Sequence, residues 1–199
     1  GKTGMWGAGL LASVSAYRMG VGYVTLASFD EPTDVLKSAP EILTARADDA
    51  KLWKPQSWSA VAIGPGLGVS QKTADLIVKL RTSGMESVVV DADAITACVE
   101  YDLFPLPKSW VLTPHAGELS RILKIDAQTI EKDRYTYALQ ASRQTGCHVL
   151  LKGFRSVLAY QDRCMVIMSG NSALAKAGTG DVLTGMIAAL LAQGVDPVQ

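Results

Sequence analysis

Short apolar or β-branched runs that stop at polar loops, alternating with stretches of helical periodicity, constrain the fold of this chain more than any other feature. Residues 7–19 carry apolar side chains at helical spacing, and 23–27 then read as a strand. Further strands are expected at 61–63, 88–90, 110–112, 149–151, 157–160 and 164–167. Helices are expected at 71–81, 117–123, 130–145 and 181–193. Such alternation implies a three-layer α/β/α fold with a mostly parallel central sheet, and the adjacent short strands after Lys152 imply an antiparallel hairpin at one edge. The 199 residues suit one domain. Residues 30–54 are irregular and proline-punctuated, and no element is assigned to them. In parallel sheets ligands sit beyond the strand carboxyl ends, so chemistry is expected in the loops after Ile63, Val90, Leu112 and Leu151.

Charge excludes some partners. Lys plus Arg number 19 and Asp plus Glu number 19, so no bulk field draws the chain to nucleic acid or to a membrane. Any anion site must be local. The apolar stretch at 182–192 is about half the roughly 20 residues needed to span a bilayer, and Thr184 interrupts it, so it reads as a buried helix. Cys98, Cys147 and Cys164 are an odd set without paired spacing, which argues against a disulfide framework or zinc site and fits a reducing, cytoplasmic setting. No export leader is visible.

The strongest local signal is Ala177-Gly178-Thr179-Gly180-Asp181, which leads directly into an apolar helix. Small residues admit a phosphate to the backbone, and a helix start offers unpaired amides and a positive dipole end. Asp181 is placed to act as a base toward a hydroxyl near that anion, or simply to cap the helix. The turn Gly64-Pro65-Gly66-Leu67-Gly68 allows close ligand approach, or is only a turn. Asp91 and Asp93 end a strand within reach of a metal or hydroxyl, although Asp93 suits a cap equally well. His115 and Glu118 flank Gly117, with Glu118 either helping to hold a hydrated magnesium ion or serving as a first-turn helix residue. Lys152-Gly153-Phe154-Arg155-Ser156 joins two strands and offers backbone, charge and hydroxyl to a nucleotide, or is an ordinary hairpin. His148 reads as structural. Two apparent nucleotide motifs are set aside: Gly1-Lys2-Thr3 lacks the rest of a Walker A loop, and Gly7-Ala8-Gly9-Leu10-Leu11-Ala12 lacks the preceding strand that a dinucleotide fingerprint needs. Ala8 remains a candidate ligand neighbour.

Taken in order, Met5-Trp6-Gly7-Ala8, the 64–68 turn, Asp91-Ala92-Asp93-Ala94, Leu112-Thr113-Pro114-His115-Ala116-Gly117-Glu118, Leu151-Lys152-Gly153 and the glycine-rich run through Gly185 resemble the ADP- or ATP-dependent NAD(P)H-hydrate dehydratases of the ribokinase-like superfamily. The resemblance implies repair of hydrated NADH or NADPH by phosphorylation of the ring hydroxyl and loss of phosphate. It implies Asp181 as the base and places the hydrated dinucleotide near Ala8, Gly66, Gly68, His115 and Asp181. The adenine nucleotide is implied at Lys152, Gly153, Phe154, Arg155, Ser156, Gly178, Thr179 and Gly180, with magnesium organised by Glu118 through water. A homo-oligomer is implied too, and in some members an epimerase domain precedes this one. Family members also have a strand before the first glycine segment and structure beyond the last residue, so both ends are expected to be cut. Thr96 replaces a usual Asn, Ala116 a usual proline and Ser156 a usual threonine. A small-molecule kinase of the same superfamily, which would release a phosphorylated product, and a non-catalytic nucleotide sensor are the rival readings.

Overall fold

A computed structural model describes residues 4–30, 38–54 and 57–198. Gly1-Lys2-Thr3 and part of the unassigned 30–54 segment lie outside the described residues.

Helix α1 (Trp6–Arg18) leads to β1 (Thr25–Ser28), which pairs in parallel with β2 (Leu43–Arg46). Strands β3 (Val61–Ile63), β4 (Val88–Val90), β5 (Val111–Leu112) and β6 (His148–Leu151) follow side by side, all parallel. The edge is antiparallel, with β7 (Val157–Tyr160) against β6 and β8 (Arg163–Val166) against β7. Helices α2 (Gln71–Thr82), α3 (Ala92–Glu100), α4 (Ala116–Leu123), α5 (Ala127–Lys132) and α6 (Arg134–Thr145) come between these strands, and α7 (Thr179–Ala192) closes the order.

The Val88-Val89-Val90 run has no outward face because both sides of β4 are covered. Val88 and Val90 pack with Ile77, Ile95, Leu112 and Leu119 under α2, α3 and α4, while Val89 packs with Val111, Ala188 and Leu191 under α7. Full burial on both sides is why parallel strands read as continuous apolar runs. The expected three layers and edge hairpin are therefore present.

Two expectations need correction. The helix expected at 130–145 is two helices, because Asp133 leaves helical geometry at φ −143° and its carboxylate accepts from the Thr136 amide at 3.2 Å, starting α6 afresh. The unassigned 30–54 segment contains β2 and a 3₁₀ turn at Ala50–Trp53. An apolar cavity of about 740 Å³, lined by Leu26, Val61, Ile63, Trp58 and Ala188 among others, lies between the two sheets and holds none of the residues named for catalysis or nucleotide binding. Among the described residues no helix is long and apolar enough to cross a membrane.

Candidate active site

The carboxyl ends of β3, β4, β5 and β6 bring Gly64, Asp91, Thr113 and Lys152 to one edge of the sheet, and the start of α7 lies over them. Parallel pairing produces this edge: Ile63 aligns with Val90, Val90 with Leu112 and Leu112 with Val149. The register continues past β5 through a bridge between His115 and Lys152, with the Lys152 amide donating to the Pro114 carbonyl at 2.8 Å.

Gly178 precedes α7 with φ +86°, a left-handed conformation that glycine adopts without strain. The chain turns there so that the first helical amides, which have no intrahelical acceptor, face outward from the helix start. Asp181 sits half-buried in this first turn, and among the described residues its carboxylate makes no hydrogen bond. The capping alternative therefore has no geometric support. Burial raises the Asp181 pKa, the negative charges of Asp91 and Asp93 raise it further, and Lys152 pulls it back. A carboxylate that holds its proton more tightly than usual is a stronger base when ionised.

On one side of α7 stands α1. Leu11 packs against Gly178, and Gly66 sits so near Ala8 that a Cβ at position 66 would lie 3.2 Å from the Ala8 Cβ and 2.4 Å from the Met5 carbonyl. The 64–68 turn is fixed from its other end, where the Gly68 amide donates to Asp93 at 2.8 Å and the Thr73 hydroxyl donates to the Gly68 carbonyl at 2.7 Å. Ala8, Gly66 and Gly68 thus form one wall. The glycines of the set-aside fingerprint lie within α1 itself, not in a turn that follows a strand.

On the other side, His115 and Glu118 close the start of α4 as a reciprocal pair. His115 Nδ1 accepts from the Gly117 and Glu118 amides at 3.0 and 3.3 Å, and Glu118 Oε2 accepts from the His115 amide at 2.8 Å. This is a capping box with histidine in the usual place of serine or threonine. The outer part of the His115 ring stays exposed, while Glu118 is buried within 4.0 Å of Lys152 Nζ. Replacing His115 with Ala is expected to cost about 1 kcal/mol of stability, and His115→Asn should recover most of it because Asn caps well. Urea unfolding of the three proteins checks this.

Lys152 reaches inward, not outward. Its ammonium donates to Asp91 Oδ1 at 2.6 Å, and Asp91 Oδ2 accepts from Thr184 Oγ1 at 2.6 Å. Beyond it, Phe154 projects into solvent with Arg155 stacked over its ring at 5.2 Å, and the Ser156 hydroxyl donates back to the Gly153 carbonyl at 3.1 Å. Arg134 anchors the base of this loop by donating to the Leu151 and Lys152 carbonyls at 2.9 and 3.1 Å.

The structure thus joins Asp181, Gly178, Gly180, Ala8, Gly66, Gly68, Lys152, Glu118 and His115 around one edge, with Phe154 and Arg155 at its margin. Thr184 and Arg134 were not legible as site residues. For Thr184 a signal exists, since a hydroxyl inside an apolar helix needs a partner; for Arg134 none does. His148 lies at the opposite end of β6, buried and stacked on Tyr160 at 3.9 Å, with burial lowering its pKa. Neither of its ring nitrogens has a hydrogen-bond partner among the described residues.

A family model described as NAD(P)H-hydrate dehydratase matches residues 1–199. The bifunctional NAD(P)H-hydrate repair enzyme Nnr of Moorella thermoacetica is 37% identical over 99% of this chain and 40% of its own length. The ADP-dependent (S)-NAD(P)H-hydrate dehydratase of Neisseria meningitidis is 36% identical over 98% of this chain and 68% of its own. The crystal structure of ADP/ATP-dependent NAD(P)H-hydrate dehydratase from Bacillus subtilis, co-crystallised with ATP/Mg2+ and soaked with CoA, superposes with a TM-score of 0.80 at 30% identity, covering 96% of this chain and 71% of that one. The three-layer architecture is that of the ribokinase-like superfamily. The chain spans about 40% of the length of the bifunctional relatives it matches.

Proposed function

Since this chain belongs to the NAD(P)H-hydrate dehydratase family, we propose that it restores NADH or NADPH from the hydrated form by an ADP- or ATP-dependent dehydration, with Asp181 as the base. The observation that carries the reading is the Asp181 carboxylate, raised in pKa and without a hydrogen bond among the described residues, in the same helical turn as the amides of Gly180 and Asp181.

In this reading the hydrated nicotinamide lies against Ala8, Gly66, Gly68 and the exposed side of His115. Asp181 takes the proton of the ring hydroxyl as its oxygen attacks the terminal phosphorus, and the nucleotide departs one phosphate shorter. Amides at the α7 start stabilise the charge on the transferred group. The carbon–oxygen bond then breaks with phosphate as the leaving group, pushed by the ring nitrogen lone pair, and loss of a proton from the adjacent carbon restores the double bond. The backbone of residues 152–156, with Gly178, Thr179 and Gly180, holds the donor.

Among the described residues no cluster of three or more His, Cys, Asp or Glu side chains could hold a metal ion. A buried single carboxylate, Glu118, fits magnesium, which keeps several waters and relies on one or two carboxylates plus the substrate phosphates. When bound there, the ion screens the donor phosphates. A homo-oligomer, the cytoplasm as the site of reaction and fusion to an epimerase in a longer chain belong to the same proposal. The cytoplasm is supported by three unpaired cysteines, two of them buried with thiol pKa values pushed up to about 12.

The test is incubation of the protein with hydrated NADH, magnesium and ADP or ATP while NADH absorbance and free phosphate are followed. Recovery of absorbance with matching phosphate release is expected. A stable phosphorylated product would assign a kinase, and nucleotide binding without turnover would assign a sensor.

A further inference from the structure

Asp91 is 1% exposed, and both of its oxygens are engaged across the site: Oδ1 with the Lys152 ammonium from the end of β6, Oδ2 with the Thr184 hydroxyl from α7, each at 2.6 Å. Its own backbone is immobilised. The Asp91 amide donates to the Ile63 carbonyl at 3.0 Å, its carbonyl accepts from Ala94 at 3.0 Å, and that carbonyl lies where a side chain at Gly64 would begin. Thr184 stands one helical turn after Gly180, and its oxygen is also 3.0 Å from the Gly180 carbonyl. Lys152 Nζ lies directly under the same turn, 3.5 Å from where a Gly180 Cβ would be.

We propose that Asp91 is a positioning residue that locks the first turn of α7 to the ends of β4 and β6, and that the Lys152 ammonium serves phosphoryl transfer through Asp91 and not as a ligand of the nucleotide. This rests on the reading of Asp181 as the base. A buried carboxylate with two short charge-assisted bonds holds its partners far more rigidly than packing alone. The turn it holds presents both the amides and the Asp181 carboxylate. Small misplacements of such groups are costly: a shift of about 1 Å can reduce turnover by about 10²-fold.

The test compares Thr184→Val, Thr184→Ser and Lys152→Met, with Asp181→Asn as reference. Thr184→Val removes the bond to Asp91 at constant shape, and is expected to lower kcat by about 10- to 100-fold with KM and calorimetric ADP affinity nearly unchanged. Thr184→Ser should restore most of the loss. Should Thr184→Val fail to fold, Lys152→Met decides: reduced kcat with unaltered ADP affinity supports the proposal, and a marked loss of ADP affinity overturns it. Normal kcat in Thr184→Val, or a Ser variant no better than Val, also overturns it. If these results come with a large loss in Asp181→Asn, the positioning role alone falls. Near-normal turnover in Asp181→Asn removes the base reading itself.

Discussion

Asp181→Asn is expected to lower turnover by roughly 10²- to 10⁴-fold, the usual worth of general-base action, while ADP affinity stays close to that of the parent protein. Asparagine keeps the size of the side chain and removes only its basicity. The stability effect has a defined sign. Burial first, then Asp91 and Asp93, raise the folded-state pKa of this carboxyl above its unfolded value. The stabilising contribution is therefore complete below the unfolded pKa and is lost as pH rises through the folded one. At neutral pH the ionised carboxylate counts against folding, so the Asn variant should melt at the same temperature or slightly higher. The acid limb of kcat/KM in the parent protein should accordingly lie above the ordinary carboxylate range. Turnover, calorimetric ADP binding, a thermal melt and a pH profile of kcat/KM check all four points. A clear fall in melting temperature would return Asp181 to a structural role.

Gly185→Val should be the most destabilising of the substitutions considered, by about 3 kcal/mol, because added atoms in a closed contact force backbone shifts. A Cβ there would lie 2.0 Å from the Ala12 carbonyl oxygen and 2.2 Å from Ser15 Oγ, so α1 and α7 would have to part. The Ser15 hydroxyl, which donates to the Val182 carbonyl at 2.9 Å, would lose its place between the helices. For a chain of this length a loss of that size lowers the melting temperature by about 6 to 12 °C. An unchanged melt would show that the seam can open without strain.

The parallel strands were legible because burial on both faces leaves no polar residue in runs such as Val88-Val89-Val90. β2 was not, since Leu43 and Arg46 are exposed and Thr44 and Ala45 only half-buried, so no apolar period marks it. The break at Asp133 is hidden because apolar spacing runs on from Ile130 to Tyr137 and Ala138, and only a cap at Asp133 restarts the helix. At the candidate site, the loops named from strand ends and from the glycine-rich helix start lie together at one edge of the sheet. What they do not reveal is direction. Lys152 reads as a cation in a hairpin, and its inward turn to Asp91 is a contact across 61 positions; the Thr184 contact crosses 93. Such pairings depend on the assembled sheet and leave no local pattern.

The seam between α1 and α7 has a kinetic consequence. Gly185 against Ala12, Ser15 bonded to Val182, and Leu11 against Gly178 make these two helices one stiff strut. Ala8 and Asp181 ride on that strut together, so the distance between the two sides of the proposed dinucleotide site is set at folding and not at each turnover. The 64–68 turn is braced against it through Gly66 and tied down by Asp93. The 153–156 loop lies outside this brace, and its Phe154 is 78% exposed. In the proposed reaction, the part that holds the nucleotide is thereby mechanically separate from the part that grips the dinucleotide.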